Sequence, residues 1–200
     1  MKPKLTHSKC IELLKEQDTP RNIFLHSRKV NAISNLLADK LSKAGIKIDK
    51  YLVDTGSLLH DIKKWHCLKS ENCSKGYHER HHYAAYNTLI LMGYPFQARI
   101  ALKHGLDEVL CKKYGLTKWE DIIVYYADKR VNHDKVVTLD GRFEYLRKRY
   151  GSLSKGSMEN INRTERPLKE LEEKIFKRLD IKPGDITEES IKPFLIAEAY

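Results

Sequence analysis

Apolar residues recur at three- and four-residue steps through most of the chain, which is the spacing of one face of an α-helix. The clearest stripe predicts a helix from Pro20 to about Ala44 that ends at Gly45. Its apolar face holds Ile23, His26, Val30, Ile33, Leu37 and Leu41. No strand-like alternation and no internal repeat interrupt this pattern, so the sequence predicts an all-α fold.

The same spacing predicts further helices on both sides of this one. They are expected over residues 6–18, from an Asp49 cap to near His60, from Tyr77 or His78 to Met92, from Phe96 to His104, from a Thr117–Glu120 capping box to Asp128, from His133 to Tyr150, from Pro167 to Leu179, and as a short final helix within 186–200. Loops are expected at 65–77, 111–116 and 152–162. Gly56 is expected to let a neighbouring helix approach the helix that Asp49 caps.

The length of 200 residues fits one domain with a terminal extension. We expect residues 1–150 to form the main helical domain, and residues 151–200 to form a linker and a helical appendage that packs on it. No apolar run is long enough to span a membrane, and no signal-peptide core follows Met1. The four cysteines lack CxxC spacing, so reduced thiols and a cytoplasmic location are expected.

The formal net charge of +10 favours anionic partners such as nucleotides, phosphate esters or nucleic acids. Basic residues are spread along the chain, with a modest cluster at 142–149, and no zinc-finger or aromatic-interleaved RNA motif is present. A lysine-rich solvated surface is therefore preferred over a dedicated nucleic-acid face. A nucleic-acid partner remains possible but is not favoured, and the oligomeric state is left open.

A histidine and an aspartate stand side by side at the end of an apolar run, in the segment Gly56–Lys64. Neighbouring helical residues point about 100° apart, so His60 and Asp61 can reach one metal ion only at the open end of a helix bundle. Imidazole suits transition metals and carboxylate suits harder cations, which allows Zn, Fe, Mn or Mg. Two ligands do not make a site, so the remaining histidines and aspartates decide the interpretation.

Further histidines and a distal aspartate follow in helical context, in the order His26, His60-Asp61, His81, His104, Asp128. Over about residues 20–132 this ordered set resembles the HD-domain superfamily of metal-dependent phosphohydrolases. The resemblance implies an HD-type helical bundle with a short C-terminal helical extension. It also implies that these six residues bind one or two divalent ions of Mn, Fe, Co, Ni, Zn or Mg, with Asp61 bridging when there are two. Family members commonly carry glycine where this chain has Lys63, which puts the turn geometry after the doublet in question.

Three of these assignments have alternatives. His78 or His82 can take the place of His81, because three histidines fall within five residues. His104 can act simply as a favourable cation at a helix C-terminus. Asp128 can form a salt bridge with Lys129 or Arg130 instead of binding a metal, although an unpaired carboxylate in so apolar a run is costly.

The resemblance implies a metal-dependent phosphohydrolase that acts on a small phosphorylated substrate, most readily a nucleotide. Asp61 and Lys64 would act in catalysis, and Lys64 and Arg130 would bind phosphate. An Arg130 that lies on the surface or at a dimer contact is about equally well supported. The motif does not distinguish a phosphomonoesterase from a phosphodiesterase. Two alternatives stay open, namely a metal-retaining module that binds a nucleotide or RNA, and a di-iron oxygenase on the same scaffold.

Overall fold

The computed structural model describes residues 5–69, 81–111 and 115–196, and helices dominate this part of the chain, as predicted. The helices are α1 (His7–Glu16), α2 (Arg21–Lys43), α3 (Lys50–Leu59), α4 (Lys64–Lys69), α5 (His81–Leu91), α6 (Pro95–Leu102), α7 (Trp119–Lys129), α8 (Leu139–Tyr150), α9 (Lys155–Phe176) and α10 (Glu188–Ile191). Short 3₁₀ turns occupy Leu106–Leu110, Pro183–Asp185 and Lys192–Phe194. Strands β1 (Val131–Asn132) and β2 (Lys135–Val136) form an antiparallel hairpin.

Helix α2 lies at the centre and packs against both α3 and α7. Its buried residues run the whole length of the predicted stripe, and Gly45 ends it with a φ of +84°, a conformation that glycine adopts without strain. Asp49 caps α3 as predicted, because its side chain accepts a hydrogen bond from the Leu52 amide at 3.0 Å.

Two hydrophobic clusters flank the end of α3. The larger joins α2, α7, α8 and the C-terminal helices, and the smaller joins α1, α5, α6 and the end of α3. Leu59 and Ile62, on either side of the His-Asp doublet, belong to the smaller cluster, whereas Ala127 and Val131, on either side of Asp128, belong to the larger. The doublet and the distal aspartate therefore meet where the two clusters adjoin.

The described part of the C-terminal segment, residues 151–196, shares the larger cluster. Side chains of this segment that are buried in it are Ile161, Leu168, Ile175, Phe176, Ile186 and Ile191. They pack in the same core as α2 and α7, so this segment helps to fix the position of α7.

Helices α3 and α6 approach closely at Gly56, as predicted. A Cβ atom placed on Gly56 would lie 2.5 Å from Ile100 Cδ1 and 3.2 Å from two further Ile100 atoms. A side chain larger than hydrogen at this position would force the Ile100 side chain to shift. This contact sets the distance between the ends of α3 and α6, where His60 and His104 lie.

The helix predicted over His133–Tyr150 begins six residues later, at Leu139. Before it, Val131 pairs with Val136 and Asn132 with Lys135, and His133 turns the chain with a φ of +56°. Histidine, asparagine and aspartate are enriched among non-glycine residues with positive φ. The all-α prediction is confirmed, and this small hairpin was not anticipated because two-residue strands are too short to show alternation.

The loop predicted at 152–162 and the helix start predicted at Pro167 were also wrong. Helix α9 runs from Lys155 to Phe176 and contains Pro167 in its interior. Ile161, Leu168 and Ile175 recur at seven-residue steps and are all buried, so packing of one continuous face outweighs the hydrogen bond lost at proline.

Smaller differences concern helix ends. Helix α7 is capped at Lys118 without a side-chain bond, and Glu120 accepts a hydrogen bond from the Asp49 amide instead of completing the predicted Thr117 capping box. The predicted loop at 65–77 begins with helix α4, and its remainder lies outside the described residues, as does the predicted helix start near Tyr77 or His78. Among the described residues, no helix combines the length and apolar content needed to cross a bilayer.

Candidate metal centre

All six predicted metal ligands come together in one buried cluster. His26 lies on α2, His60 and Asp61 follow α3, His81 begins the described part of α5, His104 follows α6, and Asp128 lies on α7. Five elements thus contribute side chains to one place. We divide the cluster into a buried subsite (His26, His60, Asp128) and an outer subsite (Asp61, His81, His104).

In the buried subsite, His26 Nε2 lies 3.0 Å from Asp128 Oδ1, and His60 Nε2 lies 3.6 Å from the same oxygen. The three side chains are at most 7% exposed. Their ligand atoms all lie within 4.8 Å of one another, a spacing at which the three groups can hold a metal ion.

In the outer subsite, Asp61 Oδ1 lies 3.1 Å from His81 Nε2 and 3.3 Å from His104 Nε2. The two histidine nitrogens are 2.8 Å apart. His60 Nε2 is 3.5 Å from the other Asp61 oxygen, and His60, Asp61 and His104 form a second group that can hold an ion. His60 therefore adjoins both subsites, while the His81 side chain is 18% exposed and is the most open of the set.

Backbone carbonyls orient three of the four imidazoles. The Nδ1 atoms of His26, His60 and His104 donate to the carbonyls of His133, Ser57 and Ala101, at 2.8, 2.7 and 2.5 Å. A neutral imidazole with its proton on Nδ1 carries a lone pair on Nε2. Hydrogen bonding of this kind is the usual way in which proteins fix the orientation of metal-binding histidines.

Burial sets the charge states of the cluster. It lowers the pKa of His26, and it lowers the pKa of His104 to about 3, so both imidazoles are neutral near pH 7. Burial also works against ionisation of Asp61 and Asp128, but Lys64 and His60 beside Asp61, and Lys129 beside Asp128, hold the pKa of each carboxyl well below its usual range.

Neutral Nε2 lone pairs therefore face ionised carboxylate oxygens at distances of 3.0 to 3.3 Å. Two hydrogen-bond acceptors at this separation repel each other unless a cation lies between them. Within the described residues, the buried atoms His60 Nε2 and Asp61 Oδ1 also form no hydrogen bond. A divalent cation fits this donor set, because it satisfies the facing acceptors at once.

Protonation of His60 is the alternative way to relieve this repulsion. Burial favours the neutral ring, but the charges of Asp61 and Asp128 outweigh it and raise the pKa of His60. Two nearby carboxylates hold a proton on the shared histidine for the same reason that they would hold a metal ion. A proton and a cation therefore compete for one position.

Lys64 and Lys129 line the cluster. Lys64 Nζ lies 2.6 Å from Asp61 Oδ2, and a third of its side chain is exposed, so its ammonium stands at the entrance. Lys129 is buried, and its Nζ donates to Asp128 Oδ2 at 2.5 Å and to the His104 carbonyl at 2.6 Å. The salt bridge that was the alternative for Asp128 is thus present, but it uses one oxygen and leaves the other facing the histidines.

Arg130 is not brought to the cluster. Its guanidinium is buried and donates to the Val137 carbonyl at 2.6 Å, to Tyr126 Oη at 2.5 Å and to the Pro183 carbonyl at 3.1 Å. These contacts join the end of α7 to the hairpin and to the C-terminal segment. The geometry gives Arg130 a structural role instead of the expected phosphate contact.

The other two histidines near position 81 are placed differently. His82 packs against His104, with ring centroids 6.0 Å apart, and its ring lies next to Gly105. His82 therefore packs behind the His104 ring, and His81 is the histidine that faces Asp61. His78 lies outside the described residues.

Sequence reasoning anticipated the Lys129 salt bridge to Asp128 but missed the three carbonyls that hold His26, His60 and His104. One signal for two of them was available: His60 and His104 each follow a helix end and bond the carbonyl three residues back, where helix carbonyls lack partners. His104 can therefore fill both roles considered for it. Its Nδ1 bonds a carbonyl at the end of α6, and its Nε2 faces Asp61. No local signal pointed to the His133 carbonyl, which reaches His26 across 107 positions.

Comparison with known proteins adds no assignment: no family model matches this chain, no curated protein matches its sequence, and no solved structure matches its fold.

Proposed function

We propose that this protein is a metal-dependent phosphohydrolase that cleaves a phosphoester of a nucleotide or another small phosphorylated molecule. The observation that carries the proposal is the convergence of six residues, in the chain order of the HD-domain superfamily, into a cluster whose buried acceptors face one another. We further propose that the chain is a member of that superfamily. The imidazole nitrogens and carboxylate oxygens lie so close together that they favour a cation between them. The order of the six residues along the chain is the reason for proposing phosphoester hydrolysis.

His26, His60 and Asp128 would hold one divalent ion, and Asp61, His81 and His104 would complete a second position with His60 close by. A divalent ion at such a site lowers the pKa of a coordinated water and polarises a phosphoryl oxygen. The chain's own part is to keep four Nε2 lone pairs and two carboxylates aimed at one place. The carbonyls of His133, Ser57 and Ala101 do this for three of the imidazoles.

Lys64 supports a phosphate substrate in particular. Its ammonium is at the entrance, next to a carboxylate that also faces two histidines. Burial opposes its charge, but Asp61 and Asp128 raise its pKa, so Lys64 remains a cation at neutral pH. A positively charged donor at this position would bind a phosphoryl oxygen and stabilise the charge that develops on it during cleavage.

The two subsites also support a second candidate. A pair of adjoining positions rich in histidine and carboxylate suits two iron ions as well, which would give a di-iron oxygenase. The lysine beside Asp61 favours phosphate chemistry over oxygen chemistry. A metal-binding module without turnover is the remaining alternative, and the following experiment separates the three.

The test combines elemental analysis of the purified protein with phosphate release from nucleotides and model phosphodiesters in the presence of Mn, Fe, Co, Ni, Zn or Mg. Asp61→Asn keeps the shape of the side chain and removes its charge. Asp180→Asn is the matched control, because Asp180 is an exposed aspartate that pairs with Lys40. We expect metal-dependent phosphate release that falls about a thousandfold in Asp61→Asn, the equivalent of about 4 kcal/mol, and that is unchanged in Asp180→Asn.

Other results would reject the proposal. Bound iron with oxygen consumption and no phosphate release would identify the oxygenase. Bound metal with nucleotide or RNA binding but no turnover would identify a binding module. Equal activity of wild type and Asp61→Asn would remove the cluster from catalysis altogether.

A further inference from the structure

Arg142 lies near the cluster and was not singled out by sequence reasoning as a site residue. It is on the first turn of α8, its side chain is half-buried, and its Nη1 donates to Asn132 Oδ1 at 2.8 Å. Asn132 ends strand β1, and the next residue, His133, supplies the carbonyl that orients His26. Arg142 is therefore held against the turn that positions a ligand of the buried subsite.

Aromatic packing fixes the same arrangement. The guanidinium lies 5.9 Å from the ring centroid of Tyr145, and the His133 ring packs edge-on against the same tyrosine at 5.4 Å. Tyr145 thus contacts both the arginine and the turn. The position of Arg142 relative to the cluster is set by two independent contacts.

Arg142 adds a positive charge on the side of the cluster where the His133 carbonyl holds His26. Lys64 and Lys129 already contact the two carboxylates, with Lys64 Nζ 2.6 Å from Asp61 Oδ2 and Lys129 Nζ 2.5 Å from Asp128 Oδ2. Three cations therefore lie at or beside a cluster that holds two carboxylates. A group with this excess of positive charge attracts an anion.

Arg142 also has donors to spare. A guanidinium carries five N–H groups in a fixed fork. Within the described residues, Nη1 is bonded to Asn132, whereas the buried Nε has no hydrogen-bond partner. A buried N–H without a partner is unfavourable, and a phosphate oxygen is among the strongest acceptors that can complete the fork.

We propose that Arg142 is a substrate-binding residue that holds phosphoryl oxygens from the side of the buried subsite, while Lys64 holds them from the side of the outer subsite. This inference rests on the proposed function, and it assigns to Arg142 the phosphate contact that sequence reasoning gave to Arg130. It predicts that the site binds free inorganic phosphate.

The test measures binding of inorganic phosphate by isothermal titration calorimetry, on the protein as purified and after addition of the activating metal. Arg142→Gln removes the charge, and Arg142→Lys keeps the charge but removes the fork. Arg149→Gln is the matched control, because Arg149 is exposed and lies two turns further along the same helix. Metal content and thermal unfolding are measured for every variant.

We expect Arg142→Gln to weaken phosphate binding about ten- to hundredfold, as for loss of a charge-assisted hydrogen bond, and Arg142→Lys to lie between it and wild type. Arg149→Gln should change the dissociation constant less than twofold. In the hydrolysis assay, Arg142→Gln should raise KM, and phosphate should inhibit it less than it inhibits wild type. A residue that merely supported the hairpin would lower metal content and thermal stability instead.

Two results would overturn the assignment: wild type that binds no phosphate in either preparation, or Arg142→Gln that binds it as wild type does. The hydrolase proposal fails in a different way. Protein that binds phosphate through Arg142 but releases none from any phosphoester would keep the binding residue and reject the reaction.

Discussion

The two subsites of the cluster differ in how firmly the fold holds them. In the buried subsite, His26 and Asp128 lie on α2 and α7, which place most of their buried apolar side chains in the larger hydrophobic cluster, and His60 follows α3. Two helices of the smaller cluster, α5 and α6, carry His81 and His104 of the outer subsite, and the His81 side chain is 18% exposed against at most 7% for the other ligands. We expect the buried subsite to retain its ion and the outer subsite to exchange ions and receive substrate.

The largest expected effect comes from His60, because it adjoins both subsites. His60→Ala should remove bound metal from both and lower phosphate release about a thousandfold or more. Metal content by elemental analysis and turnover under saturating metal check this. His66→Ala is the control, since His66 is an exposed histidine on α4; an equal loss in both variants would show that the effect is not specific to the cluster.

The second effect tests the difference between the subsites directly. His26→Ala should weaken metal binding by at least about 100-fold, whereas His81→Ala should weaken it about tenfold and leave one ion bound. Titration of metal-free protein gives affinity and stoichiometry together. If the two variants lose the same number of ions with the same affinity change, the distinction between a buried and an outer subsite is wrong.

The third effect is the pH dependence of metal binding. Burial opposes protonation of His60, but Asp61 and Asp128 raise its pKa above 6.5, so a proton occupies the ring below that raised value and must leave when metal binds. Metal affinity should therefore fall about tenfold per pH unit as pH drops below the His60 pKa, and level off above it. Asp61 and Asp128 remain ionised throughout, because their pKa values are lowered. An affinity that stays constant between pH 5 and 8 would contradict this competition.

The smallest effect comes from the contact between α3 and α6. Gly56→Ala would place Cβ 2.5 Å from Ile100 Cδ1, and overpacking of this kind costs about 1–3 kcal/mol. We expect a lower melting temperature and metal affinity reduced severalfold at the outer subsite, since His104 follows α6. The double variant Gly56→Ala/Ile100→Val lacks the Ile100 Cδ1 atom and should recover part of the lost melting temperature and metal affinity. If it recovers neither, the clash with Ile100 is not the cause of the loss.

Three- and four-residue spacing placed candidate ligands on helix stripes and at helix ends, and the resemblance to the HD-domain superfamily implied that six of them form one set. His26 on the α2 stripe and the doublet after α3 are examples. Local pattern could not predict the hairpin at 131–136, since its strands are two residues long and its turn depends on a positive φ at His133.

Arg130 and Arg142 show the same limit for function. Both are near Asp128 in the chain, and spacing alone favoured Arg130. The end of α7 turns the Arg130 guanidinium toward the C-terminal segment, and the hairpin then returns the chain so that Arg142 donates to Asn132, next to the turn at His133. Which arginine lies beside the turn that holds His26 was decided by a hairpin that hydrophobic spacing does not encode.

The turn at His133 has a further thermodynamic consequence. The His133 carbonyl accepts the hydrogen bond of His26, and the side chain of the neighbouring Asn132 accepts that of Arg142, so occupancy of either site restrains the same turn. The first ligand to bind orders this turn, so the second ligand does not have to order it again. Thermodynamic linkage then requires that phosphate tighten metal binding by the same factor by which metal tightens phosphate binding. Through this hairpin, loss of the metal ion would weaken phosphate binding, and loss of phosphate would weaken metal binding.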